Sequence, residues 1–292
     1  IVQMMKPITK STKQIVNANH IPSSIREAFR IAKEERPGAV HIELPEDIAA
    51  EEADDRIFEV TSYQRPDADE TAIKIAAKMI ENAKMPLLLI GAGANRKLTH
   101  KALSFLIETT GIRFFSTQMG KGVVDERHPQ FMGTAALSDH DFLHCAINRS
   151  DLIINVGHDI LEKPPFIMEE GGKKVIHVNF FPNRVDDVYF PQHSVVGDIS
   201  TSVQRIAEKI QDNSNWDLSY FNKIKQEVDK NLSKYFKDER FPILPQRVVK
   251  IIRDQLNDDD IVTLDNGVYK IWFARNYPCY KPNTLLLDNA LA

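Results

Sequence analysis

Pro86-Leu87-Leu88-Leu89-Ile90-Gly91-Ala92-Gly93-Ala94-Asn95-Arg96 is the stretch on which the fold turns. An unbroken apolar run that leads straight into a glycine-bearing loop is the pattern of a strand buried on both faces, and such strands belong to parallel sheets covered by helices on either side. Glycines here let backbone N–H groups approach a phosphate at a helix start, which makes the loop a candidate nucleotide cradle. The third glycine of the dinucleotide fingerprint is absent, and glycine also serves tight turns. Ligand contact at Gly91, Ala92 and Gly93 and a purely conformational role therefore both stay open.

Working outward, apolar spacing predicts helices over 70–83, 97–110, 139–148 and 200–211, and strands over 113–116, 152–156 and 174–179. Alternating elements of these lengths imply a doubly wound α/β domain. Upstream, Ile21-Pro22-Ser23-Ser24 opens a helix to about Glu35, Pro37-Gly38 breaks it, and residues 39–44 read as a strand ending at Pro45. The acidic, proline-bearing stretch 51–69 reads as a linker. Downstream, Trp216, Leu218, Phe221, Ile224, Val228, Leu232 and Tyr235 form one helical stripe in a lysine-rich segment, read as a connecting helix. A helix over 245–257 and a strand over 261–265 then open a third α/β unit.

Loops after the strands lie where doubly wound sheets bind ligands. Besides the first glycine loop, Ser116-Thr117-Gln118-Met119-Gly120-Lys121-Gly122 and Val156-Gly157-His158-Asp159 qualify by placement, with solvated loop residues as the plain alternative for Lys121, His158 and Asp159. Asn179-Phe180-Phe181-Pro182 offers aromatic rings that could flank an adenosine or simply pack. No nucleophile elbow, His-Glu-x-x-His motif or paired-cysteine metal site occurs; His140 and His144 stand four apart on an expected helix, with a surface face as the plainer reading.

The 292 residues are 42% hydrophobic and 27% charged, as in ordinary globular proteins, so a sizeable core is expected. A net charge of −4 gives no broad basic field for nucleic acid or an anionic membrane. Cys145 and Cys279 are too few for a disulfide framework, which fits a reducing, cytoplasmic setting, and no apolar run is long enough to span a bilayer. The chain starts Ile1-Val2-Gln3 and stops at Ala292 directly after a strand-like run, which reads as an internal fragment.

Stretches in three regions of the chain resemble the thiamine-diphosphate enzymes of the acetolactate synthase type. Met4 to Lys10, Ala28 to Ala32 and Arg36 to Ile48 are similar to the end of that family's pyrimidine-binding domain. Pro86 to Gly91, Gly120 to Val123, His128-Pro129 and Val196 to Ile199 resemble its central domain, and Thr263 to Trp272 its entry into the diphosphate-binding domain. The resemblance implies segments 1–50 (pyrimidine domain, C-terminal part), 51–69 (linker), 70–212 (central nucleotide-binding-like domain), 213–243 (connecting helical segment) and 244–292 (start of the diphosphate domain).

It further implies decarboxylation of pyruvate and ligation to a second 2-oxo acid, with thiamine diphosphate and Mg2+, in a homodimer or homotetramer; a biosynthetic member would serve branched-chain amino acid biosynthesis. In biosynthetic members the central domain carries FAD. Transferred by motif, its contacts would be Gly91, Ala92, Gly93, Thr117, Gln118, Met119, Gly157, His158, Asn179 and Asp198; the thiamine diphosphate contacts would be Asn266, Gly267, Val268 and Tyr269. Yet Gly157 to Lys163 stands in place of the biosynthetic Gly-x-Arg-Phe-Asp-Asp-Arg, and with Glu162 and Pro164 it is more similar to the flavin-free catabolic members. Val268 and Tyr269 replace the usual Gln-His. The Mg2+ motif is expected beyond Ala292 and the activating glutamate before Ile1, so no acid–base residue and no metal ligand is assigned within the chain. Other family activities, such as pyruvate oxidase or glyoxylate carboligase, and a non-catalytic nucleotide-binding or assembly module are the alternatives.

Overall fold

The computed structural model describes residues 1–54, 56–60, 65–135, 142–158, 162, 165–183, 185 and 187–287. The chain divides into two compact units, 1–64 and 65–292, with the division inside the stretch read as a linker.

In the first unit, α1 (Val2–Met5) leads to β1 (Ser11–Gln14), α2 (Ile21–Lys33), β2 (Val40–Glu43) and α3 (Glu46–Ala49). The two strands pair in parallel, Ser11 opposite Val40 through Gln14 opposite Glu43, and α2 makes the crossover between them. Pro22 lies in the first turn of α2, where its missing N–H costs no helical bond. β1 was not expected, because Ser-Thr-Lys-Gln carries no apolar alternation.

The second unit is built on α4 (Glu70–Glu81), β3 (Pro86–Ile90), α5 (Lys97–Thr110), β4 (Arg113–Ser116), β5 (Phe131–Thr134), α6 (Phe142–Arg149), β6 (Leu152–Val156), β7 (Lys174–Asn179), β8 (His193–Val196) and α7 (Ile199–Lys209). The strands form one six-stranded parallel sheet in the order β5-β4-β3-β6-β7-β8. Helix ends follow local chemistry: Asp69 caps α4 by accepting from the N–H groups of Thr71 and Ala72 at 2.9 and 3.0 Å, and Gly111 closes α5 at φ +70°.

Each buried strand feeds two cores. Leu88 and Ile90 of β3 join Phe114, Ile154 and Val178 against α4, α5 and α7, whereas Leu87 and Leu89 join Phe115, Met132 and Ile153 against α6. This two-sided burial is why β3 and β6 read as continuous apolar runs. Truncating any one of these leucines to alanine would cost about 2–5 kcal/mol.

Two strands of this six-stranded sheet escaped the sequence reading. β5 is four residues long with Gly133 in its middle, and β8 is an edge strand carrying His193 and Ser194. The segment read as a connecting helix proves to be structural cladding. α8 (Ser219–Ser233) buries Phe221 and Ile224 in the second core, packed on α6 and β5.

Beyond it come α9 (Pro245–Gln255), β9 (Val262–Leu264), α10 (Tyr269–Asn276) and β10 (Leu285–Leu287). β9 and β10 pair in parallel, over a third core of Val249, Phe273, Ala274, Tyr277, Cys279, Leu285 and Leu287. Among the described residues no helix is long and apolar enough to cross a membrane.

Candidate functional site

The chain runs from β3 outward to β4 and β5, then returns to β6 on the other side of β3 and continues to β7 and β8. The strand order therefore reverses between β3 and β6, and the crevice outside the carboxyl ends of these two strands is where a sheet of this kind receives a ligand. Gly91, Ala92 and Gly93 follow β3 there, Thr117, Gln118 and Met119 follow β4, Gly157 and His158 follow β6, and Asn179 ends β7. Nine of the ten residues transferred as flavin contacts are thus gathered at one sheet edge.

What they face there is mostly each other. Gly91 donates its N–H to the Val156 carbonyl at 2.9 Å, and Gly93 donates to the Gly157 carbonyl at 2.7 Å. A Cβ on Gly91 would lie 2.7 Å from the Gly157 oxygen, and one on Gly157, at φ +70°, would lie 2.1 Å from the Ala94 nitrogen. These glycines let two loops touch, backbone to backbone. Asn179, fully buried, donates from Nδ2 to the His158 carbonyl at 2.7 Å and accepts the Phe180 N–H at 2.8 Å. Thr117 Oγ1 accepts the Gly120 N–H at 3.1 Å.

One residue that sequence reasoning left without a role stands at the centre. Glu162, 7% exposed, accepts the Ala92 N–H on one carboxylate oxygen and the Met119 N–H on the other, both at 3.0 Å. Its partners lie 70 and 43 positions away in sequence, so no local pattern could have announced it.

The tenth residue, Asp198, is elsewhere. It follows the edge strand β8, caps α7 through the Thr201 N–H at 3.0 Å and pairs with Arg65 at 3.4 Å. Phe180 packs on the first core with the Arg65 guanidinium 4.8 Å above its ring, a packing role. Asp159, His140 and Asp141 lie outside the described residues, while His144 is half-buried on α6.

Behind the edge, a polar chain runs through the sheet. Asn155 Nδ2 donates to the Tyr189 hydroxyl oxygen at 2.8 Å, Tyr189 reaches His177 Nδ1 at 3.2 Å, and His177 Nε2 reaches the Phe181 carbonyl at 3.2 Å. With Nε2 protonated and Nδ1 accepting from the Tyr189 hydroxyl, both ring nitrogens of His177 are paired as a neutral imidazole. Burial depresses His177 to about 4, and also pushes the Tyr189 hydroxyl above its ordinary range. His158 stacks on Tyr189 with ring centroids 5.0 Å apart, so it is no freely solvated side chain.

Lys121 is likewise not the surface charge that its place in a loop suggested. It is 4% exposed, and its amine donates to both Glu126 oxygens, at 3.0 and 2.8 Å, and to Thr134 Oγ1 at 3.0 Å. Glu126 in turn holds Cys279 by both backbone groups, accepting its N–H at 2.9 Å on the carboxylate and donating its own N–H to the Cys279 carbonyl at 3.1 Å. Burial pushes the Cys279 thiol up to about 12, which keeps it protonated and a poor nucleophile at neutral pH.

Asn266, Gly267 and Val268 lie in a separate loop between β9 and α10, and Tyr269 opens α10. Asp265 accepts the Asn266 N–H at 2.7 Å, and Lys270, buried beneath the loop, donates to Asn266 Oδ1 at 3.3 Å. A glycine turn at the positive end of a helix, backed by a lysine, can hold an anion. Lys270 was not singled out from sequence. Among the described residues no cluster of three or more His, Cys, Asp or Glu could hold a metal ion.

Comparison with known proteins agrees with this architecture. The family model "Thiamine pyrophosphate enzyme, central domain" matches residues 73–206, which run from α4 to α7. Among curated proteins, the chain is 26% identical to an acetolactate synthase of Bacillus subtilis over 99% of this chain and 51% of that protein. It is 25% identical to a catabolic acetolactate synthase of Raoultella terrigena, covering 99% and 52%. A probable acetolactate synthase large subunit of Methanocaldococcus jannaschii is 28% identical, covering 99% and 51%. The chain spans about half the length of the curated relatives it matches. Residues 73–206 of the six-stranded unit thus match the central domain of thiamine pyrophosphate enzymes, and the chain along nearly its whole length is similar to acetolactate synthases.

Proposed function

We propose that this chain is the middle of a thiamine-diphosphate-dependent enzyme that decarboxylates pyruvate and joins the remaining two-carbon unit to a second 2-oxo acid. The observation that carries the reading is similarity to acetolactate synthases along 99% of the chain, through all of its units. Since the chain spans about half of those relatives, the activity is assigned to a longer protein, and the 292-residue chain by itself is expected to make no acetolactate.

In this reading the loop between β9 and α10 grips the diphosphate: the backbone at Asn266, Gly267, Val268 and Tyr269 presents the helix's positive end, and Lys270 steadies Asn266 and adds positive charge. Thiamine diphosphate supplies the electron sink for loss of CO2 and for carbon–carbon bond formation. The central domain contributes shape. Its Lys121–Glu126 pair holds Cys279 in the stretch between α10 and β10, and so helps fix the unit that carries the loop. Mg2+ belongs to the longer protein in this proposal, and no residue of this chain is assigned to it. A homodimer or homotetramer is proposed with it on the strength of the resemblance, and a cytoplasmic setting on the two-cysteine composition.

The test is an assay of the full-length protein with pyruvate, thiamine diphosphate and Mg2+. Acetolactate and CO2 formed in a one-to-two ratio to pyruvate consumed are expected. Oxygen consumption with peroxide and no acetolactate would replace the reading with an oxidase, and no reaction with any 2-oxo acid would remove the catalytic proposal.

A further inference from the structure

The donors that make the glycine loop a phosphate cradle are already engaged. A dinucleotide at the switch point needs backbone N–H groups from the loops after β3 and β4 and open space between the loops after β3 and β6. Here the Ala92 and Met119 N–H groups, one from each of the first two loops, converge on the carboxylate of Glu162. The facing surfaces of the other pair leave no room even for a methyl group, since the Gly93 N–H meets the Gly157 carbonyl at 2.7 Å. Asn179, beneath them, ties the His158 carbonyl down. The residues present do not fit FAD.

We propose that Glu162 is a built-in counter-anion: its carboxylate takes the two backbone donors that a flavin or adenine dinucleotide's phosphate would use, so the central domain closes on itself and holds no dinucleotide. A carboxylate accepting two N–H groups forms charge-assisted bonds, stronger than neutral ones. Being tethered, it does so without the entropic cost of capturing a free ligand. The glycines are needed for the closure, and the nucleotide-like appearance of the loop is the outward sign of an intramolecular anion site. This holds whether or not the thiamine reading is correct, because every readout is taken without thiamine diphosphate or substrate.

The experiment compares the full-length protein with Glu162→Ala and Glu162→Gln. Titration of the unmodified protein with FAD, ADP and inorganic pyrophosphate, followed by calorimetry and flavin fluorescence, is expected to show no saturable binding. Glu162→Ala should lower the melting temperature by about 5 °C or more. Formate or pyrophosphate in the buffer should then restore part of that loss in Glu162→Ala, while Glu162→Gln, whose amide still fills the space, gains nothing. Should Glu162→Ala fail to fold, amide exchange in the unmodified protein decides: Ala92 and Met119, which lie outside the strands, should be protected. Stoichiometric flavin binding by the unmodified protein would overturn the proposal. An unchanged melting temperature in Glu162→Ala, or fast exchange at both amides, would do the same.

Discussion

Replacing Lys121 by methionine removes one charge of a pair that lies almost wholly out of water and leaves the other stranded. Burial already pushes the Glu126 carboxyl above the ordinary carboxylate range, and Lys121, with the Cys279 and Gly122 N–H groups, pulls it back. Without the lysine only the backbone donors oppose burial. Breaking a buried pair from one side costs about 3–5 kcal/mol. In a unit of this size that lowers the melting temperature by roughly 10 °C.

The sign with pH follows from linkage. A carboxyl whose folded pKa lies above its unfolded value is more protonated in the folded state between the two, so stability falls as pH rises through the folded pKa. The variant's deficit should therefore be larger at pH 8 than at pH 5, because lower pH favours the neutral form of Glu126. Urea unfolding of Lys121→Met and the unmodified protein at both values, with the denaturant slope unchanged, measures this directly. A deficit under about 1 kcal/mol at pH 8, or one equally large at pH 5, would refute the claim that a stranded carboxylate is its source.

Three further outcomes are expected. His177, 1% exposed and depressed to about 4, contributes stability that is complete above the unfolded value near 6.5 and is lost as pH falls towards 4, by about 3 kcal/mol; His177→Gln should flatten that part of the stability curve, and an unchanged slope would show that another group titrates there. Gly157→Ala should destabilise far more than Gly111→Ala, although both glycines stand at φ +70°. The first substitution forces a Cβ to 2.1 Å from the Ala94 nitrogen, whereas the second meets open space and costs only the backbone penalty of about 1 kcal/mol; equal losses in urea unfolding would mean that the two loops do not touch. Phe221→Ala should cost about 3–5 kcal/mol if α8 is part of the core, and a loss below about 1 kcal/mol would return it to a mere connector.

The sheet was legible where burial on both faces made strands uniformly apolar, as in β3 and β6. It was illegible where the strand was short, interrupted by Gly133, or at the polar edge, as in β5 and β8. α10 hid for a different reason: Tyr-Lys-Ile-Trp-Phe-Ala-Arg-Asn scatters polar and apolar residues around the helix, burying Lys270 and Asn276 beside Phe273 and Ala274, and so shows no apolar face. At the candidate site, sequence placed the glycine loops on the correct rim because strand ends are local features. Whether those glycines admit a ligand or another loop depends on Gly157 and Glu162, each more than sixty residues from the first loop, and this could only be seen in space. Lys121 and Glu126 were close in sequence, but their dehydration depends on Cys279 closing over them.

The segment leaving α7 has a mechanical consequence. The central sheet is entered at one rim, where the Asp198 N–H donates to the Pro66 carbonyl at 2.8 Å just past the end of β8. It is left at the opposite rim, where the Asp217 N–H donates to the Lys84 carbonyl at 2.8 Å just ahead of β3, and Trp216 Nε1 donates to the Ile80 carbonyl at 3.0 Å. Tension between those two anchor points would cross β7 and β6 diagonally, and its component along the strands would load the inter-strand bonds together in shear. The five-residue strands that would carry that load, β3 and β6, are about 17 Å long.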